Sequence, residues 1–196
     1  MEVGLILAVF GLFSAVIVRL RRASAARTPI AALGLGRADV HGRAAGPAEL
    51  CAPISGRKGI GFRLLIEQEQ GVRGWVAVLD LAEFADFELC DRSGVIRVQA
   101  SSSIIDMDVG ERGGKGGPFR PLPDAVVHLI AARVPMRGVL FHKGFRWREW
   151  VLEPDREVRV CGQVVAIPSE QTLGYRGLGQ SMVLAGCTGH PLVIHD

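Results

Sequence analysis

The chain has 196 residues, 48% of them hydrophobic and 22% charged, with a formal net charge of +3. That length allows one well-buried domain and excludes two generous ones once an anchor and a linker are set aside. Arginines crowd between Arg19 and Arg43, so that the net basicity belongs mostly to the linker, and no stripe of interleaved basic and aromatic residues follows, which argues against nucleic acid as a partner.

Residues 3–18 are uncharged and strongly apolar. As a helix they rise about 24 Å at ~1.5 Å per residue, a little less than the ~30 Å hydrocarbon core of a bilayer. Leu20 extends the run, and Arg19 can reach the headgroups. Ala23-Ser24-Ala25 has the look of a signal cleavage box, but Glu2 precedes the apolar run while Arg19, Arg21 and Arg22 follow it, the wrong flank for secretion. The residues therefore favour a single transmembrane anchor over 1–22, with the lipid bilayer as its partner. The positive-inside tendency puts the chain beyond Arg22 on the cytoplasmic side. Residues 23–47, rich in Ala, Gly and Arg, read as a mobile tether, so that the domain is expected over 48–196.

Within that domain, residues 63–68 and 74–79 are apolar-rich runs parted by a glycine-bearing turn, as in a hairpin. Residues 87–90 and 95–100 form a clearer one, joined by Asp91-Arg92-Ser93-Gly94. The glycine-rich stretch 110–118 lacks the glycine and hydroxyl positions of a phosphate loop around Lys115 and reads as a flexible insertion. Asp124 is placed to start a helix running toward Pro135, too short and too interrupted by His128 and Arg133 to span a membrane. Residues 157–164 alternate, with Val158, Val160 and Val164 on the expected core face, and residues 182–185 and 192–194 close the domain as short strands. The expected fold is mainly β with one inserted helix (α+β), a small, partly open OB-like barrel or a related sandwich, preceded by the single N-terminal transmembrane helix.

The search for chemistry gives no catalytic, cofactor-binding or metal-binding residues. Cys51, Cys90, Cys161 and Cys187 are far apart and read as free thiols packed like small apolar residues, with long-range disulfides open if the domain faces an oxidising space. His41, His128, His142, His190 and His195 are scattered without metal-ligand spacing. Ser101-Ser102-Ser103 lacks a nucleophile elbow, and Asp106 and Asp108 read as solvated acids. The tract 146–152 is the densest group of large and charged side chains. Arg146, Trp147, Glu149 and Trp150 are its candidate interaction residues, against the reading that the tryptophans are core and Glu149 pairs with an arginine at the barrel rim.

Leu50-Cys51-Ala52-Pro53-Ile54-Ser55-Gly56-Arg57, the segment Asp86-Phe87-Glu88-Leu89-Cys90-Asp91-Arg92-Ser93-Gly94, the tract 146–152, Val158-Arg159-Val160-Cys161-Gly162 and Pro191-Leu192-Val193-Ile194 stand in one order over the body. Together with the N-terminal anchor, they resemble the GIDE or "beside a membrane" domain of mitochondrial membrane-anchored ubiquitin ligases and their prokaryotic relatives. The resemblance departs at Lys58-Gly59-Ile60-Gly61-Phe62-Arg63, where the family often has a cysteine and a tyrosine, and at 110–118. The eight closely spaced zinc ligands of the family's RING are absent from this sequence, so the transfer activity does not carry over. The resemblance implies a non-enzymatic, membrane-tethered module for protein interaction or sensing, with an unidentified protein partner and no cofactor. The alternative is an accessory subunit of a ubiquitin-protein transferase whose partner supplies the RING.

Overall fold

The structure, a computed structural model, describes residues 28–117, 120–131, 144–168, 180–187 and 189–196. The apolar run 3–18, its arginine flank, His142 and the Pro135 end of the expected helix lie outside these residues. Among the described residues, no helix is long and apolar enough to cross a membrane.

Two β-units share the chain. Strands β1 (Gly36–Ala45), β6 (Phe87–Cys90), β7 (Val95–Gln99), β12 (Gln180–Ala185) and β11 (Glu157–Pro168) form a ring, because β1 pairs with β6 along one edge and with β11 along the other. The barrel is thus closed by five strands, where the sequence suggested a partly open one. β13 (Leu192–His195) lies on the first half of β11, and β8 (Ile105–Asp108) runs parallel to β13. The second unit is a four-stranded antiparallel sheet in the order β5 (Trp75–Phe84), β4 (Gly61–Glu69), β10 (Phe145–Leu152), β9 (Arg112–Gly116). A two-stranded ladder, β2 (Leu50–Cys51) with β3 (Lys58–Gly59), closes the turn between β1 and β4.

Both expected hairpins are present, as β4–β5 and β6–β7. Asp91 fixes the second one. Its carboxylate accepts from the N–H groups of Ser93 and Gly94 within the turn, and from the N–H of Ile30 at 3.0 Å, which ties the 3-10 turn Ile30–Ala32 to the barrel wall. The alternation of residues 157–164 also holds, with Val158, Val160 and Val164 buried in the barrel.

The expected linker boundary is corrected by β1. Residues 36–45 are a barrel strand, with Val40 and Ala44 fully buried. Their small residues hid it: Gly42 leaves room for the Cys90 carbonyl, which a Cβ there would meet at 2.6 Å. A run so rich in glycine and alanine looks like tether in one dimension, and is close-packed strand in three.

The glycine-rich stretch is corrected too, since β9 is paired with β10 over Arg112–Gly116. Nor are the cysteines packed as core residues, Cys51 and Cys187 being exposed and none of the four joined in a disulfide. The serines after β7 brace the loop they stand on. Ser101 Oγ donates to Asp86 at 2.7 Å, and Ser103 Oγ accepts from the Gly186 N–H at 2.8 Å.

Strand periodicity divides the four-stranded sheet into two faces. On one, Leu64, Ile66, Leu79 and Phe145 are buried beneath α1 (Asp124–Ala131), whose Val126 and Ile130, one turn apart, complete that core. On the other, Trp150 and Leu152 at the end of β10 pack with Phe84 into the barrel's own core. β10 therefore belongs to both units, which explains why its sequence is so dense in large side chains.

Candidate interaction face

Arg146, Arg148 and Trp150 share the second face of β10, opposite Glu67, Leu65 and Arg63 of β4. Glu67 is almost wholly shielded, and the tight grip of Arg146 explains why burial is tolerated: Nε donates to Oε2 at 2.6 Å and Nη2 to Oε1 at 2.8 Å, a bidentate pair. Arg148 adds a longer contact of 3.3 Å to the same carboxylate. The hydrogen bonds from Arg146, with the charges of both arginines, hold Glu67 below the usual carboxylate range, and Glu67 in turn raises Arg146.

Each guanidinium also lies over an aromatic ring. Arg146 stands 4.7 Å from the Trp75 centroid, while Arg148 and Arg63 stand 5.2 and 5.7 Å from that of Trp150. Arg63 is committed elsewhere, donating from Nε and Nη2 to Asp80 at 3.0 and 2.9 Å and from Nη1 to Asp106 at 2.7 Å. Asp106 is exposed, as expected of a solvated acid, and is also an ion-pair partner of Arg63. Arg148 is the least engaged of the three. Its Nε is buried without an acceptor, as is the indole Nε1 of Trp150. Two buried donors without partners on one face are costly unless something accepts from them.

The structure does not bring the four residues singled out by the sequence onto one face. Arg146 is on the outer face, Trp150 is buried at the barrel junction, and Trp147 packs against the core beneath α1. Glu149 is fully buried and does not pair with an arginine as expected. Its Oε1 accepts from the N–H of Ile54 at 2.8 Å and its Oε2 from the N–H of Ser55 at 3.1 Å, so it holds the 50–57 turn against β10. The true partner of the arginines, Glu67, was missed together with Trp75 and Arg63. The signal was there: Arg63, Leu65 and Glu67 alternate on β4 just as Arg146, Arg148 and Trp150 do on β10.

Beside this face, an open groove of about 600 Å3 follows the β9 edge, lined by Glu111, Gly113, Gly114, Lys115 and residues 146–148. Among the described residues, no three histidine, cysteine or acidic side chains gather as metal ligands would. No protein-family model, curated protein or solved structure matches the chain.

Proposed function

We propose that this protein is a non-enzymatic, membrane-tethered interaction module of the GIDE type, built on an OB-like barrel, and that its contact surface is the arginine face of β10 with the β9 edge beside it. The observation that carries the reading is Arg148, a half-exposed cation held over Trp150 and bonded to Glu67 only through one long contact of 3.3 Å. Its exposed part can take a carboxylate or carbonyl from a partner, and arginine beside tryptophan is the side-chain combination that carries binding energy at interfaces. Glu67, Arg146 and Arg63 around it are locked in ion pairs, which suits a fixed recognition surface better than proton transfer. Tethering rests on the uncharged run 3–18 with its arginine flank.

Site-specific photo-crosslinking in native membranes tests the contact surface. A benzophenone side chain at position 111, at the exposed rim of the groove, should give a discrete adduct, one at the fully exposed Val72 should give none, and Arg146→Ala and Arg148→Ala should each reduce the yield from 111. Equal yields from positions 72 and 111 would overturn the assignment of the face. Removing residues 1–22 should move the protein from the membrane to the soluble fraction, and retention in the membrane would overturn the tether.

A further inference from the structure

The direction in which the peptide groups of β9 point decides what the groove can hold. The carbonyl of Gly144 accepts from the N–H of Glu69 at 2.8 Å, so the peptide groups of Gly144 turn toward β4. By strand alternation those of Phe145, Trp147 and Glu149 turn toward β9, where they face Gly116, Gly114 and Arg112. The peptide groups of Gly113 and Lys115 then point away from the sheet. An independent contact agrees with this. Gly117, the next residue of that parity, uses both its N–H and its carbonyl on Arg120 at 2.8 and 3.1 Å, where the chain folds back over its own edge. Beyond that fold, Gly113 and Lys115 have no backbone partner among the described residues.

Exposed edge strands are normally guarded by a bulge, a proline or inward charges. β5, the opposite edge of the same sheet, has such a guard in the register shift beside Ile66 and Glu67, together with Asp80 and Glu83. β9 has three glycines in five residues and no bulge. The cations outnumber the acids there: Arg112 and Lys115 are exposed and Arg148 lies across from Gly113 on the next strand, against the single exposed Glu111 just before β9.

We infer that β9 is an acceptor for strand addition, extended by an acidic, extended segment of a partner protein that hydrogen-bonds to Gly113 and Lys115. The inference rests on the proposed interaction function and names its binding mode. The two faces also set the pattern of the incoming strand. Lys115 shares a face with Arg146 and Arg148, whereas Gly114 and Gly116 expose the ring of Trp147 and Leu122 on the other. Acidic residues at every second position would meet the cations, and apolar ones between them would cover the groove above Trp147.

The probe is a blocked synthetic peptide of alternating glutamate and valine, titrated against the full chain in mild detergent, with amide exchange as the readout. Slowed exchange at Gly113 and Lys115 is expected, with weaker binding as salt is raised and none for the lysine–valine counterpart. Methylating alternate peptide nitrogens of the glutamate–valine probe should abolish binding without any change in the protein. Lys115→Pro removes an outward N–H while sparing the bonds to β10 and should weaken binding about tenfold or more, whereas Lys115→Gln should weaken it only a few-fold. Binding that ignores both N-methylation and Lys115→Pro would overturn strand addition. Exchange protection of β9 that rises with protein concentration in the absence of peptide would assign the edge to a second copy of the chain and overturn the acidic partner. If Lys115→Pro leaves the adduct from position 111 intact while Arg146→Ala removes it, the interaction face stands and strand addition falls; if neither change affects the adduct, both fall.

Discussion

The carboxylate of Glu149 lies 2.8 Å from the backbone N–H of Ile54, across 95 residues of sequence, and is fully buried there. The turn 50–57 is held otherwise by the two-residue ladder β2–β3, by the Ala52 N–H donating to the Arg57 carbonyl at 2.9 Å, and by Ala52 packed against Phe62 and Val151. Glu149→Ala would strand the N–H groups of Ile54 and Ser55 and leave a void, and should lower the unfolding free energy by about 2–4 kcal/mol. Glu149→Gln, which keeps one acceptor oxygen, should cost roughly half as much. Chemical denaturation distinguishes them, and an unchanged midpoint in Glu149→Ala would show that water replaces the carboxylate.

Trp150 is buried at the junction of the sheet and the barrel, so Trp150→Ala should cost about 3–5 kcal/mol through lost transfer energy and the cavity it leaves. It also withdraws the ring beneath Arg148 and Arg63. A drop in stability with a retained crosslink from position 111 would mark the indole as purely structural.

Gly42 sits mid-strand in β1, opposite Val158, where an added Cβ would lie 2.6 Å from the Cys90 carbonyl and 3.1 Å from Leu89. Backbone cannot yield as a side-chain tip can. Gly42→Ala should therefore destabilise the barrel by about 1–3 kcal/mol, read as a lower thermal midpoint, whereas Gly34→Ala, with open space around it, should not.

Asp91 should show a distinct acid response. Hydrogen bonds from the Ser93 side chain, from the Ile30 backbone and from the turn itself bring its carboxyl down to about 2. Because the folded value lies below the unfolded one, near ~3.9, its contribution is complete above that unfolded value and is lost as pH falls toward about 2. Amide exchange of Ile30 should quicken over that interval ahead of the barrel strands. Asp91→Asn should remove most of this pH dependence, and an Ile30 amide that stays protected at the acid end of the interval would count against the clamp.

The sequence conveyed the elements whose residues alternate in polarity and hid those whose residues do not. Val158, Val160 and Val164 announced a half-buried strand, and Asp91 to Gly94 announced a turn. β1 and β9 were unreadable for a common reason: glycine and alanine carry little hydrophobic contrast, so period two leaves no trace in Gly113-Gly114 or in Ala44-Ala45. The candidate site suffered from a different limit. Arg146 and Arg148 stood out, but that Glu67 faces them depends on the β4–β10 register, and that register is set by contacts in three dimensions.

The β1–β11 seam has a bearing on biosynthesis. As the chain leaves the ribosome, β1 is the first of these strands made, and the strand that closes the ring on it, β11, is nearly the last, with the whole four-stranded sheet produced in between. During that interval β1 can rest only on β6, through Arg43, Ala44 and Ala45, while residues 36–42 have nothing to pair with. Closing a ring across so much chain is entropically slow, so a nascent chain carries an open strand edge through most of its synthesis. A chaperone that engages this protein during translation should hold residues 36–42 and release them when β11 emerges.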